Sequence, residues 1–307
     1  MENDEWREAL APEIHKHDLF FCRYSYLVNV LADVDRRTIL IDADDIEYVR
    51  LWRKATSWTS GWKSALLALE ALKARRYERS LVSQSLKVFV CSEPDKVKLG
   101  SQNVSVIRNG VDLAAELDDE IIRRPATMLF LGAMTHEPNL TGLKWFCEEV
   151  WPKVIDTVPQ ASLRIAGYGM SQVDMSFAEQ AGIELLGEID EPSVELQGTQ
   201  ISIVPVLFGT GTRVKIAESL GYGCTVVSTT IGAEGYDDFD EHHGLYRVDE
   251  SDKMVRVLCE LLNDRLNCEA AGLRGRELAL QRLDWRFVTA PTLSVIEQRA
   301  DTVQQAL

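Results

Sequence analysis

Short apolar runs alternate with helix-length stretches along almost the whole chain, and this alternation constrains the fold more than any other feature. DLFFC (18–22), TILI (38–41), KVFVC (87–91) and VSVI (104–107) read as strands, with a long helix over 61–83 between the second and third. A second and more complete series follows: TMLFLG (127–132), SLRIAG (162–167), IELLG (183–187), QISIVP (200–205), TVVS (225–228) and GLYRV (244–248). Helices are expected to begin near Asn139, Met175, Ser193 and Thr212, and the segment 254–282 is helical in pattern. Strands that alternate with helices imply an α/β protein with mostly parallel sheets. The polar, acidic stretch 112–125 divides the two series. Two Rossmann-like doubly wound domains are therefore expected, one over 1–117 and one over 118–285, with a C-terminal helix over 286–307 packing back on the first.

Composition narrows the function. The chain has 307 residues, and a net charge of -15 opposes general affinity for nucleic acid, whose binding rests on neutralising phosphates. No apolar stretch is long enough for a bilayer-spanning helix, and the acidic start MENDEWREAL reverses the order of a signal peptide, so the expected location is the cytoplasm. The six cysteines are scattered without a C-x-x-C pair and read as reduced core residues. One segment departs from the acidic average: between Arg50 and Lys87 nine cations face only Glu70 and Glu78, in company with Trp52, Trp58 and Trp62. A solvated amphipathic helix is one reading. Peripheral contact with an anionic membrane through 50–87, or with a lipid-linked phosphate acceptor, is the other.

The densest chemical signal lies in VPVLFGTGTRVKIAESLGYGCTVVSTTIGAEG (204–235). Glycines at 209 and 211 let the backbone pass close to a ligand, and the helix that follows turns its first N–H groups and positive dipole end toward an anion. Arg213 and Lys215 add full positive charges, and Glu218 stays on roughly the same face, where a carboxylate suits vicinal hydroxyls. A diphosphate attached to a sugar fits this order of groups. The plain alternative is a solvated helix face on which Lys215 and Glu218 form an i,i+3 ion pair. The glycine turns at Gly132 and at Gly167, Tyr168 and Gly169 end other strands on the same rim, as do Ala233, Glu234 and Gly235. His136 reads as a solvated loop histidine, and YDDFDEHH (236–243) as a surface loop.

LFLGAMTHEPNLTGLKWFCEEVWP, LRIAGYG and GTGTRVKIAESLGYGCTVVSTTIGAEG, in that order and spacing, resemble the donor-binding domain of glycosyltransferase family 4, over roughly 127–285. IDADDIEY (41–48), RRYE (75–78), VCSEPD (90–95) and IRNGVD (107–112) resemble the second half of that family's acceptor domain, so the amino-terminal domain looks incomplete. The resemblance implies a GT-B architecture and a transferase that moves a sugar from a nucleotide diphosphate to a hydroxyl of a glycan or glycolipid, as in bacterial polysaccharide biosynthesis. Retention of configuration, no metal and no cofactor besides the donor substrate are implied with it.

By the same resemblance Arg213 and Lys215 are the catalytic cations on the diphosphate, and Glu218 holds the ribose. Gly132, Gly167, Tyr168, Ile189, Thr210, Gly211 and Thr212 line the donor. The acidic cluster Asp42, Asp44, Asp45 and Glu47 reads either as solvated loop acids or, with Asp44 or Asp45 facing the cleft, as part of the acceptor side. Many family members carry a second glutamate eight residues before the one matching Glu218, with seven residues between them, and here that position is Thr210. A double displacement lacks its carboxylate, which favours departure and attack on one face of the sugar. The alternative is a non-catalytic donor-binding protein, or half of a transferase whose partner chain supplies the acceptor side.

Overall fold

A computed structural model describes residues 2–57 and 61–306, so Trp58 lies outside the described residues. The chain forms two compact units, one holding the chain up to Arg108 and again from Thr289, the other Asn109–Val288.

In the first unit β1 (Phe20–Arg23), β2 (Ile39–Ala43), β3 (Lys87–Val90) and β4 (Val104–Val106) form a parallel sheet in consecutive order. Apolar runs on β2 and β3 are buried on both faces, as parallel strands require. The connection from β2 to β3 holds two helices, Glu47–Ser57 and Trp62–Gln84. Glu78 on the second is buried and accepts the backbone N–H groups of Glu47 (2.8 Å) and Tyr48 (3.3 Å), which satisfies the start of the first. A helix over Glu2–Ile14, which the sequence did not announce, precedes β1.

The second unit is a six-stranded parallel sheet in the order β10-β9-β8-β5-β6-β7. Its strands are β5 (Thr127–Leu131), β6 (Ser162–Ala166), β7 (Ile183–Gly187), β8 (Ile201–Val204), β9 (Thr225–Ser228) and β10 (Leu245–Arg247). Side chains alternate between two filled faces. Met128, Phe130, Leu163, Ile165 and Ile203 join Phe146, Trp151 and Leu258 in one core, while Leu129 and Ala166 pack on the other side with Leu196. Trp151 is fully buried and its indole N–H donates to the Ala181 carbonyl at 3.0 Å.

Three expectations need correction. No α-helix begins at Met175: the Asp174 carboxylate takes the Ser176 N–H at 2.9 Å, and only a short 3-10 turn, Ser176–Ala178, follows. The helical segment 254–282 is two helices, Ser251–Asn263 and Arg265–Arg282, since the Asp264 side chain accepts the Asn267 N–H and starts the second. The division between units falls at Arg108/Asn109 rather than within the acidic stretch. Val111 donates its N–H to the Leu283 carbonyl at 2.8 Å, and Val111 and Leu113 are buried with Ile216 and Leu220, so this segment is already part of the second unit.

Candidate functional site

The strand order of the second unit reverses between β5 and β8: successive strands from β5 run one way through β6 and β7, and the remainder lie on the other side. At such a reversal the loops leaving the two central strands diverge and open a crevice at their carboxyl ends. Here the diverging loops are 132–136 and 205–213.

The helix Val214–Gly221 follows the second loop, with Arg213 at its N-cap. It is fixed from below, where Ser219 Oγ lies 2.7 Å from Ser202 Oγ on β8 and donates at the same distance to the Lys215 carbonyl. Its start is fixed from the side, because the Tyr236 hydroxyl donates to the Arg213 carbonyl at 2.9 Å and Asn109 Nδ2 donates to Thr212 Oγ1 at 2.8 Å. The turn before it needs positive φ at Gly209 (122°) and Gly211 (79°), which glycine adopts without strain.

Lys215 crosses the crevice. Its Nζ donates to Asn139 Oδ1 at 3.0 Å and lies 4.6 Å from the centroid of the Phe130 ring on β5. Asn139 is buried in the helix Glu137–Trp145 and gives its own Nδ2 to the Ala133 carbonyl at 3.0 Å, so its oxygen is held toward the lysine. Gly132 leaves room for this: a Cβ there would stand 2.5 Å from Lys215 Nζ and 2.8 Å from Asn139 Nδ2. Burial, then the charge of Arg213, pushes the Lys215 ammonium down to about 7. His136, at the rim, is held below the usual histidine range by partial burial and by both Arg213 and Lys215.

Arg213 is arranged differently. Its guanidinium turns back on the glycine turn, with Nη1 donating to the carbonyls of Thr210 and of Gly211, the latter at 2.7 Å. Glu218 stands half-buried, its carboxyl raised above the usual range by burial and eased down by Lys215. Its carboxylate takes no hydrogen bond or ion pair among the described residues, and the i,i+3 pair with Lys215 does not form, because the ammonium turns to Asn139 instead. A burial-strained carboxylate beside a displaced ammonium, at the mouth of a strand reversal, can receive a ligand that offers hydroxyls to one and negative charge to the other.

The remaining turns line the same rim of the sheet. Gly132 donates its N–H to the Ala166 carbonyl at 3.0 Å, Met134 to Tyr168 at 2.8 Å and Gly167 to Gly187 at 2.8 Å, which ties the loops after β5, β6 and β7 in a row. Gly167 itself has φ 146°, and the exposed Tyr168 ring stands over the rim with Gln172 Nε2 at 3.3 Å from its hydroxyl. Ile189 is half-buried against Leu129 and Leu196.

In the first unit Asp44 accepts from the Cys91 thiol at 3.0 Å and lies 3.5 Å from Arg23 Nη2, while Asp45 is exposed. Asp42 is pushed up by burial and by Asp44. Three site residues were missed from the sequence: Asn139, Phe130 and Asn109. Asn139 was visible only as a helix start, and the pairing of Asn109 with Thr212 links positions too far apart in sequence for any local pattern.

Parallel α/β units with a ligand crevice at the strand reversal define a protein of GT-B architecture, and known proteins agree. Residues 125–264 match the family model described as Glycosyl transferases group 1. Over 232 residues the chain is 26% identical to an uncharacterized 44.6 kDa protein in the cps region of Klebsiella pneumoniae, a match that covers 72% of this chain and 59% of that relative. The chain thus spans less than two thirds of the length of the curated relative it matches. Sucrose-phosphate synthase from Thermosynechococcus elongatus superposes with a TM-score of 0.74 at 14% identity, covering 97% of this chain and 78% of that one. The Anabaena protein HepE in complex with UDP and glucose gives 0.66 at 15% identity, covering 97% and 81%. These structures share the fold of this chain.

Proposed function

We propose that this protein is a glycosyltransferase that moves a sugar from a nucleoside diphosphate to a hydroxyl of a glycan or lipid-linked glycan, with retention and without a metal. The observation that carries this reading is the Lys215–Asn139 contact across the strand reversal, with the Glu218 carboxylate, three residues further along the same helix, unpartnered among the described residues. Lys215 and Arg213 receive the diphosphate, and the first-turn N–H groups of Val214–Gly221 add a fixed dipole. Glu218 accepts the ribose hydroxyls. Gly132, Gly167, Tyr168, Ile189, Thr210, Gly211 and Thr212 form the walls, and a neighbour crystallised with UDP and glucose favours uridine as the base.

In the reaction the bond from the sugar anomeric carbon to the leaving phosphate oxygen breaks while the acceptor oxygen bonds to that carbon on the same face. The acceptor proton passes to the departing phosphate. Negative charge grows on the diphosphate as the bond stretches, and cations already in place stabilise it without reorganising. Thr210 stands where a nucleophilic carboxylate would be needed for a two-step route. The acceptor side is assigned to the first unit, with Asp44 and Asp45 as its candidate contacts.

The test is release of nucleoside diphosphate by the purified chain given a panel of uridine, guanosine and adenosine diphosphate sugars and a mixed glycan acceptor. Turnover should need Lys215, Arg213 and Glu218, and undiminished turnover in Arg213→Ala and Glu218→Ala would rule the assignment out.

A further inference from the structure

The helix Trp62–Gln84 has an outer face of unusual chemistry. One side is buried in its unit through Ala71, Glu78, Leu81 and Val82, and the opposite side should be polar. Instead Trp62, Leu66 and Leu69, at i, i+4 and i+7, together with Leu72, stand 74%, 52%, 57% and 48% exposed. Around this apolar stripe lie exposed Lys63, Lys73 and Arg76, and the only acid on the face, Glu70, is taken up by Lys73 at 2.7 Å. Scattered exposed apolar residues need no explanation, but a tryptophan and three leucines in register along one helix do.

We infer that this face docks on an anionic lipid surface, with the leucines and Trp62 entering the headgroup boundary and the cations meeting lipid phosphates. Charge decides between this occupant and a second copy of the chain. The protein as a whole carries -15, yet this segment is strongly basic, so two copies laid face to face would set cation against cation. An anionic bilayer attracts the same groups and takes up the apolar stripe as well.

The placement is also suitable. In a parallel β-α-β connection the helix runs antiparallel to the strands, so its Trp62 end lies toward the carboxyl ends of β2 and β3, where Asp44 and Asp45 sit. A helix of 23 residues is about 34 Å long and a five-residue strand about 17 Å, so the apolar end of the helix extends past that rim. A lipid-linked acceptor held at the bilayer would then be presented to the first unit's candidate acceptor residues. Only this last link rests on the glycosyl-transfer reading.

The test is flotation of the full chain with vesicles of phosphatidylcholine alone and of phosphatidylcholine mixed with phosphatidylglycerol, at low and high salt. Binding is expected to the mixed vesicles only and to weaken with salt. Each cation removed should weaken it about fivefold, so Lys63→Gln with Arg76→Gln should weaken it roughly 25-fold. Leu66→Gln with Leu69→Gln should reduce it at least as far, while thermal melting and nucleoside diphosphate affinity stay unchanged. Equal binding to both vesicles, or to neither, overturns the inference, as does a concentration-dependent dimer in sedimentation that the leucine variant dissolves. Intact vesicle binding with no nucleotide binding would overturn the transferase reading alone.

Discussion

Lys215 Nζ and Asn139 Oδ1 stand 3.0 Å apart and join the two helices that leave opposite sides of the strand reversal. The bond holds a positive charge over the Phe130 ring, partly out of water, and burial with the neighbouring Arg213 pushes that charge toward neutrality near pH 7. An anion bound beside it would favour the charged form again.

Loss of the cation should act on the ligand rather than on the fold. Lys215→Met is expected to lower diphosphate affinity and turnover by about a hundredfold, in the range seen when one preorganised charge-stabilising donor is removed. Thermal melting should not fall, because a buried ammonium below its ordinary titration range is a strained group in the free protein.

Gly132→Ala tests the same contact without changing any charge. The added methyl would meet Lys215 Nζ at 2.5 Å, and a flexible side-chain end can move away at little cost in stability. Affinity for nucleoside diphosphate is expected to drop about tenfold with the melting temperature nearly unchanged, as titration calorimetry and a thermal melt would show. Unchanged affinity would mean that the position of the ammonium is irrelevant to the ligand.

The pH dependence follows from the same group. Lys215 titrates near pH 7 when free, and a bound diphosphate favours its protonated form, so binding above pH 7 must take up a proton. Affinity should therefore fall as pH rises from about 7 toward 9, with uptake approaching about one proton at pH 8, measured by calorimetry in buffers of different ionisation enthalpy.

Glu218 should show the opposite balance between stability and binding. Its carboxyl is raised by burial, only partly offset by the Lys215 charge, and has no hydrogen-bond partner among the described residues, so the ionised form is disfavoured in the free protein. Glu218→Gln is expected to melt at the same or a higher temperature and to bind nucleoside diphosphate about ten times more weakly, since a charged acceptor for two hydroxyls has become a neutral one.

In the first unit the telling group is Glu78, whose carboxyl burial pushes up to about 7 although two backbone N–H groups pull it down. The folded state holds this proton more tightly than the unfolded chain, whose value is near 4.5. Stability should thus decline as pH rises from about 4.5 to about 7 and level off above, and Glu78→Gln should remove that slope. Glu78→Ala, which also leaves the start of Glu47–Ser57 uncapped, should cost about 1 kcal/mol in denaturant melts.

What the sequence made legible was local. Thr225–Ser228 begins and ends where its run does, because burial on both sheet faces writes an unbroken run, and Trp62–Gln84 is within a residue of its reading; Ile183–Gly187, an edge strand only partly buried, is bounded instead by the left-handed glycines at 182 and 187. Glycines at 209 and 211 announced the positive-φ turn that leads into Val214–Gly221. The partners of those groups were not legible. Asn139, Phe130, Asn109 and Tyr236 reach Lys215, Thr212 and Arg213 from other elements, and only the strand order brings them there. Spacing alone paired Lys215 with Glu218, whereas the fold offered the lysine a better-held oxygen on the neighbouring helix. Glu2–Ile14 escaped notice because its apolar period is sparse, only Trp6, Leu10 and Ile14 among mostly polar residues, and because Pro12 lies inside it, although Leu10 and Ile14 do pack on the first unit's core.

The proposed nucleoside diphosphate site lies at the helix start, Arg213–Glu218. Calorimetric titration of the purified chain and of Lys215→Met with UDP, GDP and ADP tests it most directly. Saturable binding of one of the three by the native chain, UDP foremost, is expected, with a loss of about a hundredfold in the variant. Equal affinity in both proteins, or no binding by the native chain, would contradict it.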